Sequence, residues 1–378
     1  MAFTGRALYD SDGTNTVHNT AHEDLSDLIG MISPRETPLL SALGNPDNPA
    51  SNVLHEWIED ALVPDTVVSS ATISTTVTYV PVYTAKHPQI ASNLTVGAVL
   101  RSNSTGEYMQ ITAAAGNTIT VTRGFGGSTA ATIANATSLT VVSAAALEGA
   151  DVDNDVSMIR TRHTNYCQII KKDVIISGTM QSVDFAGVNN EFDYQVRARM
   201  AEGLKDLEKA VLLSKLSGNT LGSSTAYRTM KGLWDFISTN NTSVATLTTT
   251  VMDDTIQNAW DNGGTGTNMV IVADPTWKRL IDAWNASRIE VSNTDDRFHQ
   301  RVMRYAGSFG DFPVIMSRYM PSRSVMVVDT DRVNVLPLQG RSFRFEETAK
   351  TGDARKGMIL GEYTLEVKNE EGMAKAHA

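Results

Sequence analysis

The sequence lacks the features that mark several large classes of protein. Its 378 residues include one cysteine, Cys167, which excludes an intrachain disulfide framework and any metal site built from several cysteines. No apolar run approaches the ~18 residues of a membrane helix, and the first residues lack the basic and apolar stretches of a secretion signal. We therefore predict no membrane span and no secretion signal, and a single free thiol suits a reducing compartment.

Basic residues are also few, and their placement argues against a protein that binds nucleic acid tightly. Lys and Arg total 32 against 42 Asp and Glu, which gives a net charge of −10. Residues 1–60 hold 2 bases and 10 acids, and 2 − 10 leaves −8 in this segment alone. Tight binding of nucleic acid needs a basic stripe, and no segment supplies one.

The first 50 residues are predicted to be an arm more than a folded domain. They are polar apart from one short amphipathic piece, Leu25–Ile32, and we expect Pro34 and Pro38 to stop any helix there. So polar a segment cannot bury much of itself. It is therefore expected to be either mobile or ordered by a neighbouring chain.

Residues 63–147 differ sharply in composition from the rest. Five of them are charged and sixteen are threonine. Tyr108–Thr112 and Thr118–Thr122 flank a Gly-Asn turn and predict a hairpin, Ser138–Ser143 predicts another strand, and Ile73–Tyr83 alternates weakly. Short strands with Gly and Asn turns indicate a small β-sandwich or barrel, which we interpret as an inserted domain.

The middle of the chain predicts one long strand and one long helix. The strand covers Tyr166–Ile176, and the helix covers residues 189–217, with Asn189 or Asn190 as its cap and Gly218 as its stop. At ~1.5 Å per residue the helix is about 40 Å long. Its apolar stripe is Phe192, Val196, Met200, Leu204, Leu207 and Val211.

The last part of the chain alternates helices and strands. Asp274 is a predicted helix cap, with Pro275 in the first helical position. The final nine residues are predicted to be a loose tail. The other predicted elements are a helix over Asp253–Trp260 and strands over Met269–Ala273, Phe312–Ser317, Ser324–Asp329, Arg341–Glu347 and Gly357–Lys368.

No combination of side chains indicates catalysis or a metal site. His18 and His22 lie four residues apart but in a polar arm with no evident third ligand. The glycine-rich stretch Arg123–Gly127 lacks the strand-then-helix context of a phosphate loop, so it is predicted to be a hairpin turn. Cys167 falls within a strand pattern and is predicted to be a packed, small apolar residue. Catalysis is therefore the least favoured class of function for this chain.

Several short stretches carry a family resemblance through their order and spacing. They are residues 32–40 with His55-Glu56-Trp57, residues 147–151, residues 165–169 with 176–179 and 206–208, and residues from 338 onward, especially 349–353 and 362–366. In this arrangement the chain resembles the tailed-bacteriophage major capsid protein family with the Hong Kong 97-type fold. The resemblance covers residues 20–60 and 147–370.

The resemblance implies an α+β fold of the Hong Kong 97 type with a small all-β domain inserted. The implied parts are an N-terminal arm (1–50), an extended hairpin loop (51–62 and 148–180), the inserted β-rich domain (63–147), a peripheral domain (181–224 and 336–378) with its spine helix (189–217), and an axial domain (225–335).

The resemblance also implies a structural function. Copies of the chain would assemble as pentamers and hexamers into an icosahedral shell that encloses double-stranded DNA without sequence-specific binding. Portal, scaffolding and decoration proteins are the implied further partners, no cofactor or metal is expected, and assembly is expected in the host cytoplasm. The alternative is another virion component, such as a decoration or tail protein.

The acidic arm needs basic neighbours, and this requirement predicts which residues lie between subunits. We expect arm acids to pair with bases on the hairpin loop or on the spine helix of a neighbouring copy. The predicted interface residues are Glu23, Asp24, Asp27, Arg35, Glu36, Trp57, Arg160, Arg162, Lys171, Lys172, Arg197 and Arg199.

Overall fold

A computed structural model of the chain describes residues 37–44, 48–60, 62, 65–83, 94–151, 160–183, 190–218, 221–264, 268–284, 304–350 and 352–378. The chain divides into two compact units. One is Glu56–His163, and the other combines the chain up to His55 with Thr164–Ala378. No helix among the described residues is both long and apolar enough to cross a bilayer.

The described segments contain helices and strands with the following bounds. The helices are α1 (Pro38–Leu43), α2 (Gly178–Ser182), α3 (Glu191–Leu213), α4 (Leu233–Phe236), α5 (Thr249–Asp261) and α6 (Pro275–Trp284). The strands are β1 (Leu54–Glu59), β2 (Thr66–Ser69), β3 (Tyr79–Tyr83), β4 (Val99–Ser102), β5 (Tyr108–Ala115), β6 (Thr118–Thr122), β7 (Ser138–Ser143), β8 (Thr161–Tyr166), β9 (Gln168–Ser177), β10 (Asn241–Ser243), β11 (Met269–Ala273), β12 (Arg304–Gly307), β13 (Gly310–Met316), β14 (Ser324–Asp329), β15 (Val333–Pro337), β16 (Arg344–Glu347), β17 (Ala354–Val367) and β18 (Ala374–His377).

In the unit Glu56–His163, six strands close a small barrel in the order β2-β3-β6-β5-β4-β7. Alternate Val, Ile and Leu side chains point into it and are almost fully buried, while threonines take the outward positions. The predicted β5–β6 hairpin and the strand Ser138–Ser143 are confirmed. The predicted strand over Ile73–Tyr83 is wrong in its first half, because Ile73 makes an isolated bridge to Ile133 before a turn.

A buried ion pair holds the loops at one end of the barrel. Arg123 and Glu107 bond through both carboxylate oxygens, each at 2.7 Å, and both side chains are buried. Glu107 also accepts from the backbone N–H groups of Gly124 and Ala131. The prediction of a hairpin turn at Arg123–Gly127 is wrong: the segment forms a short 3₁₀ turn wrapped around this carboxylate, with Gly124 in the left-handed conformation.

In the other unit, α3 packs on one face of a sheet in which β17 pairs with β9, β15 and β16. The predicted strand over Tyr166–Ile176 is divided at Cys167, which separates β8 from β9. Asn190 caps α3 by accepting from the N–H groups of Phe192 and Asp193. The predicted stop at Gly218 is wrong, because the chain is already extended at Ser214, whose carbonyl accepts from Gly232.

The apolar stripe predicted for α3 is correct in part. Phe192, Leu207 and Val211 are buried, but Leu204 is 40% exposed. The buried face instead includes Gly203, where an added Cβ would lie 3.2 Å from the ring of Phe343. The missing side chain at this position lets helix and sheet approach closely.

A six-stranded sheet in the order β10-β18-β14-β11-β13-β12 forms the remaining core. The strands Met269–Ala273 and Ser324–Asp329 are confirmed and buried at every position. The cap of α6 is confirmed, since Asp274 accepts from the N–H of Thr276 at 3.0 Å. The other helix and strands predicted for the last part of the chain are present with bounds shifted by a few residues. The largest shift is at the start of α5, which begins at Thr249 instead of the predicted Asp253.

One prediction about a chain end is wrong, and one short helix was not predicted. The final residues are no loose tail, because β18 lies between β10 and β14 and its first three residues are buried. Pro38 begins α1, a helix that was not predicted; its missing N–H costs nothing there and its fixed φ suits the first turn. The predicted stop of a helix over Leu25–Ile32 falls on residues outside the described part of the chain.

Candidate subunit-interface site

The base of the predicted hairpin loop carries three of the predicted interface residues. In the unit Glu56–His163, Trp57 is only 7% exposed; its ring stacks on His163 with centroids 6.0 Å apart, and its Nε1 donates to Glu59 at 3.0 Å. Within the chain this ring packs between β1 and β8, and a contact of Trp57 with a neighbouring subunit stays a prediction. Ile58 is the apolar residue that β1 exposes to solvent. The sequence did not single it out as an interface candidate, because which face of a strand is buried depends on what packs against it.

Arginines on the second limb of this pair meet acids on the first. Arg162 forms an ion pair with Glu56, and Arg160 lies 3.2 Å from Asp60. Both arginines are well exposed, so these pairs add little stability by themselves. They leave the guanidinium groups accessible from solvent.

The predicted bases on β9 and α3 also meet acids of their own chain. Lys171 lies 3.1 Å from Asp173, Lys172 lies 2.6 Å from Asp206, and Arg199 pairs with Glu202. Arg197 is exposed on α3. Contacts between these bases and a neighbouring arm stay a prediction. The arm residues themselves lie outside the described part of the chain: Glu23, Asp24, Asp27, Arg35 and Glu36.

The stretches that carry the family resemblance meet one another inside the chain. Glu208 of α3 is fully buried and accepts from the backbone N–H groups of Leu39 and Leu40, each at 2.9 Å. It thereby satisfies donors at the start of α1 that have no partner within that helix. Burial raises the pKa of Glu208, and these two N–H groups oppose that rise.

Asn165 makes the second of these contacts. Its buried side chain amide donates to the carbonyls of Leu365 and Lys231, at 2.7 and 3.1 Å. Its carbonyl oxygen accepts from the N–H groups of Lys231 and Tyr166. All four hydrogen-bonding positions of the side chain are therefore used to hold distant segments together.

Glutamates of β17 make further contacts with distant segments. Glu362 pairs with Arg228 and Arg341, and Arg228 also donates to the carbonyl of Cys167. Cys167 is buried, and burial raises the pKa of its thiol to about 11, so the thiol stays protonated and unreactive.

Glu366 lies 2.6 Å from His55 Nε2 and 2.7 Å from Lys368 Nζ. Hydrogen bonding from His55 and from Lys368 lowers the pKa of Glu366 to about 2, against the opposing effect of burial. A carboxyl group whose pKa is lower in the folded state stabilises the fold above its ordinary pKa and loses that effect as the pH falls.

We therefore expect Glu366→Gln to lower the free energy of unfolding by about 3 kcal/mol at pH 7. The difference from the unsubstituted chain should shrink as the pH falls from about 5 towards 2, because both side chains are then neutral. Urea unfolding at several pH values measures this. A difference that stays constant between pH 7 and 3 would contradict the assignment. Glu347→Gln, at an exposed pair with Arg355, is the control and should change stability little.

Among the described residues, no three His, Cys, Asp or Glu residues lie close enough together to hold a metal ion. The hydrogen bonds and ion pairs described above join segments that are far apart in sequence.

Comparison with known proteins gives one family and several capsid structures. The family model described as "SU10 major capsid protein" matches residues 10–378. The capsid protein of a native GTA particle is 10% identical, with a TM-score of 0.52 over 98% of this chain and 99% of that one. The capsids of cyanophage A-1(L) and Myoviridae phage XM1 are 11% and 9% identical, with TM-scores of 0.52 and 0.51, each over 94% of this chain and 96% of theirs. No curated protein matches the sequence.

Proposed function

Since the chain belongs to the SU10 major capsid protein family and is a structural protein of a phage capsid shell, we propose that its copies assemble as pentamers and hexamers into an icosahedral shell around double-stranded DNA. The observation that carries the proposal is the extent of the family match, residues 10–378. The shared fold over 94–98% of the chain supports it.

The proposed parts follow the segments of the Hong Kong 97-type fold. The arm 1–50 and the hairpin loop that begins with β1 and returns with β8 reach neighbouring subunits. Residues 225–335 form the axial domain around five-fold and six-fold axes, and α3 is the spine of the peripheral domain. Contacts between unlike surfaces close the copies into rings. Rings that contact one another then build the shell.

The internal contacts of Glu208, Asn165 and Glu366 suit this mechanical task. A shell subunit with long extensions transmits load from its extensions to its core. Buried, fully satisfied hydrogen bonds fix that connection in one geometry better than apolar contacts alone. The barrel is the proposed inserted domain, displayed outward, and the further partners are portal, scaffolding and decoration proteins.

The charge of the chain suits a container wall. Packaged DNA must slide against its container, and a wall of net charge −10 without a basic stripe does not hold it by counterion release. We propose a structural role without catalysis, with assembly in the host cytoplasm.

Electron microscopy of the purified, full-length chain tests the proposed assembly. We expect shells, tubes or rings of five and six copies. A small discrete oligomer would favour a decoration or tail protein instead. A monomer that turns over a small molecule would overturn the proposal.

The proposed contact of the arm with a neighbour has its own test. Asp24→Asn with Asp27→Asn should reduce the yield of shells and weaken the dependence of assembly on salt, because fewer ion pairs remain to be screened. The matched control neutralises Asp311 and Glu347, two exposed acids outside the arm. Assembly and salt dependence equal to those of the unsubstituted chain would reject the arm contact.

A further inference from the structure

The sheet beneath α3 has a second face that α3 does not cover. On β9, Ile170, Val174 and Ile176 are buried on the side of α3, and the alternate residues point to the other side. Among these outward residues, Ile169 is 49% and Ile175 is 63% exposed. We call this surface the row face; it comprises Ile169, Lys171, Asp173 and Ile175 of β9, Lys356, Met358 and Leu360 of β17, and Arg344 and Glu346 of β16.

The register of the three strands arranges the row face in rows of one charge sign. Lys171 lies opposite Leu360, which lies opposite Arg344, so this row is basic with an apolar centre. The next row, Asp173, Met358 and Glu346, is acidic with an apolar centre. Cross-strand neighbours point to the same side of a sheet, so each row forms one continuous line.

The two central rows lie between two exposed isoleucines. Ile169 precedes the basic row on β9, and Ile175 follows the acidic row. Along β9 the face therefore reads apolar, basic, acidic, apolar. Lys171 bonds to Asp173 at 3.1 Å and Arg344 bonds to Glu346 at 2.6 Å, so each basic group already lies beside an acidic one.

This order is complementary to itself under a two-fold rotation. Let two row faces meet with the two-fold axis in the plane of contact, between the basic and acidic rows and perpendicular to the strands. Lys171 then faces Asp173 of the second copy, and Arg344 faces its Glu346. Leu360 faces Met358, and Ile169 faces Ile175.

Other arrangements of the same two faces are disfavoured by their charges. An axis parallel to the strands would place basic rows on basic rows and acidic rows on acidic rows. Like charges brought together at an interface repel each other, so the charge pattern selects one orientation. Packed sheets lie about 10 Å apart, a distance that these side chains span from both sides.

We propose that the row face is a two-fold contact between two copies of this chain. The proposal rests on the proposed assembly of the chain into a shell and adds the surface through which rings of copies meet. Its occupant is the same face of a second subunit, since the apolar residues and both charge signs find their complement there.

A four-residue charge exchange tests this contact. The exchange variant combines Lys171→Glu, Asp173→Lys, Arg344→Glu and Glu346→Lys. It preserves both ion pairs within the chain, so folding is maintained, and thermal unfolding verifies this. Both rows change sign together, so the variant remains complementary to itself but places like charges against the unsubstituted chain.

We expect the exchange variant to assemble alone as well as the unsubstituted chain does. In mixtures with tagged, unsubstituted chain, we expect its incorporation into shared shells to fall at least about tenfold, because like charges then meet. Affinity pulldown of shells followed by mass spectrometry measures the incorporation. The matched control exchanges Arg304 and Asp311, an exposed pair 2.6 Å apart on β12 and β13, and should mix freely.

Two results would overturn the contact. A folded exchange variant that fails to assemble alone shows that the row face meets a different surface, such as the acidic arm of a neighbouring subunit that was predicted to pair with Lys171. A variant that assembles and mixes freely shows that no charged contact forms there. In both cases the unsubstituted chain still forms shells, so the failure is separate from a failure of the proposed function, in which the unsubstituted chain forms none.

Discussion

Replacing Arg123 with methionine will destabilise the barrel by about 3–5 kcal/mol, because the substitution leaves the buried carboxylate of Glu107 without its cation. Arg123 also donates to the backbone carbonyls of Ser74, Val77 and Ala131, and these three acceptors lose their donor as well. Burial tends to raise the pKa of Glu107, but Arg123 and the N–H groups of Ala131 and Gly124 outweigh it and lower the pKa.

Hydrogen exchange measured by mass spectrometry on the full-length chain shows which strands lose stability in the Arg123→Met variant. We expect faster exchange in β5 and β6, with little change in β11 and β14. Arg101→Met is the control: Arg101 is an exposed arginine on β4, and its loss should stay within about 0.5 kcal/mol. Exchange in β5 and β6 equal to that of the unsubstituted chain would show that the ion pair does not hold the barrel.

A double substitution separates the ion pair from the shape of the site. Glu107→Leu with Arg123→Met removes both charges, so no buried charge is left without a partner. We expect this variant to be more stable than Arg123→Met alone, although the backbone groups that the pair satisfied remain unbonded.

Removal of residues 374–378 is the second change with a large expected effect. It deletes β18, which pairs in parallel with β10 and antiparallel with β14. The loss includes two hydrogen-bonded ladders and the burial of Ala374 and Ala376, on the order of 5 kcal/mol or more, and it exposes β14 as a new sheet edge. We expect the shortened chain to aggregate on expression.

Removal of Ala378 alone is the matched control for this truncation. Ala378 is exposed and contributes one backbone hydrogen bond, to the carbonyl of Arg323. Solubility and thermal unfolding measure both variants. If the longer truncation unfolds like the control, β18 is dispensable and the C-terminal residues behave as the tail that the sequence predicted.

The last nine residues were predicted to be a loose tail, and only their partners in the folded chain identify a strand there. Ala374, Lys375 and Ala376 have no strand propensity of their own. Ala374 and Ala376 are nevertheless buried in the core cluster that also contains residues of β14. Lys375 Nζ donates a hydrogen bond to the carbonyl of Trp234, a contact that no local sequence pattern predicts.

The structure also distinguishes residues that the interface prediction treated alike. Charge counting identified Lys171 and Lys172 as equivalent bases, but strand alternation places Lys171 on the row face and Lys172 on the side of α3, beside Asp206. Trp57 was also named as an interface residue; in the single chain it is buried, and its contact with a neighbour stays a prediction. Which side of a strand is covered depends on what packs against it.

The sequence by itself determined the elements whose signals are local. The cap at Asn190, the Asp274-Pro275 helix start, the hairpin of β5 and β6 and the apolar strands β11 and β14 all follow from neighbouring residues. The order and spacing of the short family stretches also identified the family.

Only the tertiary structure decided what those stretches do. Glu208 meets Leu39 and Leu40, Asn165 meets Lys231 and Leu365, and Glu366 meets His55, across separations of 66 to 311 residues. It also placed β9, β16 and β17 in the register that aligns charges of one sign. Hydrogen bonds and strand pairing join groups by distance in space, which one-dimensional patterns do not encode.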